Sequence, residues 1–78
     1  MNNEFSVISD KICLKVKFER IKRNLSQEQL AFKANVNKNT IWKIETGKVS
    51  PTIETLEKIA NAFGMNFLDL IDVSKIDL

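Results

Sequence analysis

Within six residues the chain carries Lys38, Asn39, Trp42 and Lys43. A lysine ammonium donates to acceptors such as guanine O6 and N7. An asparagine carboxamide offers a donor and an acceptor together, the complement of adenine N7 and N6. An indole ring presses on a thymine methyl or a sugar, or lies back over the surface of its own domain; the residues leave both open. This is the chemistry of recognition without turnover. The rest of the 78 residues agrees, with no His, one Cys (Cys13) and two widely separated Gly. No Ser-His or Cys-His arrangement can be assembled. One Cys without His supplies too few ligands for structural zinc, and two distant glycines make no phosphate loop. Glu54 and Glu57 lie one turn apart on what reads as a solvated face. The expectation is a chain that is not an enzyme and uses no metal or cofactor.

The net charge of +2 hides an asymmetry. Residues 11–48 hold ten Lys/Arg against Glu19, Glu28 and Glu45, which is +7, and the remainder holds Lys58 and Lys75 against seven acids, which is −5. A basic half on so short a chain points to an anionic partner, or else to ordinary solvated helix faces. Hydrophobic residues at 44% and charged residues at 28% describe a globular composition rather than a disordered one. No apolar run approaches the roughly 18 residues that span a bilayer, and the start lacks a secretory pattern. A cytoplasmic setting without membrane association is expected.

Those four side chains need a short helix that stands proud of its domain. The sequence predicts five helices and an all-α fold. Residues 1–9 read as an N-terminal arm. Asp10 is placed to cap a first helix running to about residue 23, with Cys13, Val16 and Arg20 on one stripe and Leu14, Phe18 and Ile21 widening it. Asn24 stops it. Ser26 opens a second helix, residues 27–34, and Gln29 three positions on completes a capping box. Leu30, Ala31 and Ala34 face inward. Asn35-Val36-Asn37 is a three-residue turn, and Asn35 tolerates left-handed backbone angles. Asn37 caps a third helix to about residue 46, with Ile41 and Ile44 inward and Lys38, Asn39, Trp42 and Lys43 outward. Gly47 ends it. Thr52 caps a fourth helix, residues 53–63, whose expected buried stripe is Ile53, Leu56, Ile59, Ala60 and Phe63. Asn66 caps a short fifth, residues 67–71, with a C-terminal tail at 72–78 and the folded domain at 10–71. Cys13 and Phe18 are expected in the core.

Two short helices joined by a tight turn form the geometry that lets the second helix enter a DNA major groove. The residues themselves carry Ser-Gln-x-x-Leu-Ala at 26–31, Ile-x-x-Ile-Glu-x-Gly at 41–47 and Pro-Thr-Ile-x-Thr-Leu-x-x-Ile-Ala at 51–60. In these, residues 15–71 resemble the Cro/repressor-type, XRE-like helix-turn-helix family, which includes phage repressors and restriction–modification controllers. The resemblance implies a five-helix, lambda-repressor-like DNA-binding domain with its helix-turn-helix formed by the second and third helices. It implies base contacts from Lys38, Asn39 and Lys43, with Trp42 at an outward position where a small polar residue is common. It implies phosphate contacts from Gln27, Asn37, Thr40, Thr46 and Lys48, Gln27 also bracing the third helix. It further implies an ion pair between Arg20 and Glu45 that fixes the first helix against the third. Asn35 departs from the usual Gly of the turn.

One such helix reads only a few base pairs, so proteins of this type usually pair on two half-sites about one helical turn apart. Phe67, Leu68, Ile71, Val73 and Ile76 are left over once the motif's core is filled. They are the expected homodimer surface, with Phe5, Val7 and Ile8 as additions; completion of a monomer core is the competing use. The expected function is sequence-specific binding of double-stranded DNA as a repressor or controller on a palindromic operator, with no small-molecule effector. The alternative is a protein-interaction module or antitoxin of the same fold, in which DNA binding is secondary or lost.

Overall fold

The computed structural model describes the backbone of residues 4–77 and the side chains of residues 7–77. Five helices are present among the described residues: α1 (Glu4–Lys22), α2 (Gln27–Ala34), α3 (Lys38–Glu45), α4 (Ile53–Phe63) and α5 (Phe67–Leu70). α2 packs on α3 and α4, while α1 crosses behind them against α3, α4 and α5. Val16, Leu30, Ile41, Ile44, Ile59 and Leu70 are wholly buried where these helices meet. Each apolar contact surface is short, so the domain depends on all five elements meeting in one small core.

Local chemistry starts the helices. The Ser26 hydroxyl accepts from Gln29 N at 2.9 Å, and the Gln29 carboxamide accepts from Ser26 N at 2.8 Å, a reciprocal capping box. Asn37 accepts from Asn39 N, Thr52 from Thr55 N and Asn66 from Leu68 N. Each such cap contributes about 1 kcal/mol.

Four helix ends among the described residues share one device. A left-handed residue follows the last turn: Asn24 after α1, Asn35 after α2, Gly47 after α3 and Gly64 after α4. At each, two backbone bonds turn the chain back, as in Lys48 N to Lys43 O at 2.9 Å and Gly47 N to Ile44 O at 3.0 Å. This is the Schellman arrangement, which satisfies carbonyls the helix leaves open. Gly47 sits at φ +74°, with open space where a Cβ would stand. Gly47→Ala therefore meets only backbone strain, about 1–2 kcal/mol. Thermal unfolding followed by circular dichroism is expected to show Tm falling by about 4–8 °C for each kcal/mol lost. Gly47→Asn should lose less, because Asn already adopts this conformation at positions 24 and 35.

Three expectations are corrected. The first helix starts at Glu4, not at Asp10, so residues 4–9 are helical rather than an arm. No Gly or Pro interrupts the segment, Ile8 lies one turn before the core-packed Ile12, and the Ser9 hydroxyl bonds that of Ser50 at 2.9 Å. Residues 1–3 and the Phe5 side chain lie outside the described residues. Second, Phe18 and Ile21 are about half exposed and do not widen the core stripe. α1 carries two apolar stripes, and the core takes the one through Ile12, Cys13 and Val16. Third, Ile53 is 65% exposed, because the first turn of α4 extends past the helices that cover Leu56, Ile59, Ala60 and Phe63.

Long basic side chains on α1 tie down the far ends of the fold. Arg23 donates to Phe63 O at 3.2 Å and lies 4.8 Å over the Phe63 ring. It also pairs with Glu19. Burial pushes the Glu19 carboxyl up, but the bonds from Arg23 and Lys22 outweigh it and leave the group below its usual range. Lys15 donates to Asp69 O at 2.7 Å and Asp72 O at 2.8 Å, closing the end of α5.

Candidate nucleic-acid interface

α3 is amphipathic in the plain sense: Ile41, Ile44 and Glu45 are buried, and Lys38, Asn39, Trp42 and Lys43 are exposed. The exposed set lies on the first two turns of a helix held from behind. Its pose is fixed by a knot of three side chains from three helices. Arg20 Nε donates to Glu45 Oε2 at 2.7 Å and Arg20 Nη2 to Glu45 Oε1 at 2.9 Å, a two-pronged pair. The Glu45 side chain is 2% exposed and that of Arg20 14%. Arg20 Nη1 donates to Leu25 O at 2.8 Å, and Gln27 Nε2 donates to Glu45 Oε1 at 3.1 Å. The bond to Glu45 raises the Arg20 guanidinium further above neutrality than its ordinary value, against the opposing pull of burial. First, second and third helices are thereby joined at one carboxylate.

Gln27 thus faces Glu45 rather than open solvent, and its remaining amide proton and carbonyl are what it has for a further partner. Asn37 uses its carbonyl oxygen on Asn39 N, which leaves its amide donors. The Thr46 hydroxyl donates to Trp42 O at 2.8 Å, so its single proton is already engaged within the chain. Thr40 is partly covered, and Lys48 is exposed in the loop after Gly47. The basic and polar positions 37, 38, 39, 43 and 48 share the outer edge of one helix and its two ends.

Electrostatics favour an anion there. Of the three acids between residues 11 and 48, Glu19 and Glu45 are buried and paired, and only Glu28 is exposed. Acids of that stretch therefore leave the basic side chains of α3 largely uncancelled, and Asp10 of α1 lies by Thr46 and Gly47 at the far end of the helix. The proposed dimer residues are less uniform. Phe67 and Ile71 pack against the core, Val73 and Ile76 are half-buried, and Leu68 is 68% exposed. Cys13 is buried, and burial with Asp10 beside it pushes its thiol up, away from a reactive thiolate. Among the described residues no cluster of acids and Cys is placed to hold a metal, and no helix is long and apolar enough to cross a membrane.

One contact at this surface has no local spelling in the sequence. Lys48 Nζ lies 5.6 Å from the centroid of the Trp42 ring. The only sequence signal is the glycine between them, which marks where the chain turns back.

A three-residue turn between α2 and α3, a buried knot behind α3 and a basic outer edge define a helix-turn-helix domain. The chain belongs to the helix-turn-helix family HTH_3, which it matches over residues 16–70. Relatives that it matches include transcriptional repressors and HTH-type transcriptional regulators. It is 36% identical over 64 residues to the cryptic phage CTXphi transcriptional repressor RstR of Vibrio cholerae, covering 82% of this chain and 58% of that repressor. It is 38% identical over 55 residues to the control protein C.BamHI of Bacillus amyloliquefaciens, covering 70% of this chain and 68% of that protein. The chain thus spans little more than half the length of the phage repressor it matches. Among solved structures, an HTH_3 family transcriptional regulator from Vibrio cholerae superposes with a TM-score of 0.81 at 32% identity, over 91% of this chain and 41% of that one. The restriction–modification controller protein C.Esp1396I shares the fold, with a TM-score of 0.78 at 24% identity over 91% of this chain and 95% of that one.

Proposed function

We propose that the chain binds double-stranded DNA sequence-specifically and acts as a repressor or controller of transcription. The observation that carries this is the exposed Lys38, Asn39, Trp42 and Lys43 edge of a helix whose opposite edge is locked into the core. In this reading α3 enters the major groove. Lys38, Asn39 and Lys43 reach base edges there, with Trp42 beside them. Asn37, Thr40, Thr46 and Lys48 flank the groove at the phosphates, and Gln27 reaches a phosphate with the donor that Glu45 does not hold. Thr46 must turn its hydroxyl away from Trp42 O to donate outward. The working form is a homodimer on a palindromic operator, paired through Phe67, Leu68, Ile71, Val73 and Ile76, with exposed Leu68 at the centre of the contact.

Selection of bound duplexes from a random pool, followed by titration of the winner against salt, tests all parts at once. The expected result is an enriched motif of two inverted half-sites about one helical turn apart. Log affinity should fall linearly with log salt at a slope of about −0.9 per phosphate neutralised. Enrichment of single half-sites would remove the dimer and keep the reader. No enrichment at any salt would remove DNA recognition and leave a protein-binding module of this fold.

A further inference from the structure

The residue that follows the left-handed position at a Schellman end ordinarily makes an apolar contact back onto the last turns of its helix. Three of the four such ends here follow that pattern: Leu25 after Asn24, Val36 after Asn35 and Met65 after Gly64 are all apolar and packed against the core. The fourth is different. After Gly47 the same slot holds Lys48, and the side chain it returns to is Trp42, 5.6 Å from the ammonium to the ring centroid. Trp42 is 43% exposed, so the slot is filled on the outer surface of α3 rather than in the core. A charge over an indole face substitutes for the usual apolar contact.

We infer that Trp42 is a positioning residue for Lys48, and that the two form one clamp which holds the ammonium at the C-terminal edge of α3 for a DNA phosphate. The inference rests on the DNA-binding reading above and assigns Trp42 a task that reading does not require. A free lysine loses several rotatable bonds of freedom when it meets a phosphate. One already resting on a ring, at the end of a turn fixed by Gly47, loses less.

The test is a double-mutant cycle on the selected operator with Trp42→Ala, Lys48→Ala and the pair, together with Trp42→Phe. Lys48→Ala should lower the salt slope by about one unit. Its affinity loss should shrink about two- to fivefold in the Trp42→Ala background, and Trp42→Phe should restore most of the coupling. In the free protein, the Lys48 ε-methylene protons should be shifted upfield by the indole ring current, and Trp42→Ala should abolish the shift. Operator binding with strictly additive losses, or unshifted Lys48 protons, would overturn the clamp alone. Failure of the unmutated chain to bind any duplex would overturn the DNA reading and the clamp with it.

Discussion

Glu45→Ala is expected to lower folding stability by about 3–5 kcal/mol, measured by urea unfolding. The substitution leaves the largely covered Arg20 guanidinium without its carboxylate and frees the Gln27 carboxamide from its acceptor. A domain of this size has roughly 4–12 kcal/mol in total, so the loss is a large share of it. The sign of the double substitution is informative. Arg20→Met with Glu45→Leu removes both charges together, and it should recover much of what either single change loses, because no unpaired charge remains. A Glu45→Ala protein as stable as the unmutated one would mean that water reaches Arg20 freely, against a side chain only 14% exposed.

Lys38→Ala and Asn39→Ala are expected to act on selectivity instead. Each should remove about 1–3 kcal/mol of preference for the operator over a singly mismatched duplex, a factor of about 5–150. Neither should move Tm by much. Both side chains are exposed, and the cap at the start of α3 uses the Asn39 backbone N–H and the Asn37 side chain, which these changes leave in place. Competition binding against a mismatch panel reads the effect, and the positions that relax identify the base each residue meets. Equal weakening on every duplex would reassign both side chains to the phosphates.

The helix ends were the most legible part of this fold, because their chemistry is nearest-neighbour. Ser26 with Gln29, Asn37, Thr52 and Asn66 declare starts, and Asn24, Asn35 and Gly47 declare stops, all within a few residues of the bonds they form. What the sequence did not disclose depends on partners far along the chain. The turns of α1 before Asp10 meet a partner far along the chain, Ser9 bonding to Ser50, 41 positions away. Arg23 and Lys15 meet their acceptors only when the fold brings Phe63, Asp69 and Asp72 to them. Phe18 and Ile53 have the spacing of core residues, and only the arrival or absence of another helix decides their burial. At the candidate site the outward set on α3 followed from its period alone. The partnership of Trp42 with Lys48 did not, since it needs the reversal at Gly47.

Arg20, Gln27 and Glu45 grip α3 from its hidden side and use none of the positions that face outward. The tilt of the rod is therefore set by one group of residues, and on the proposed reading its vocabulary would be set by another. If α3 reads DNA as proposed, a lineage of such chains could exchange letters at 38, 39 and 43 and address new targets while inheriting the scaffold unchanged, so divergence in what is read would not wait on divergence in how the molecule holds together.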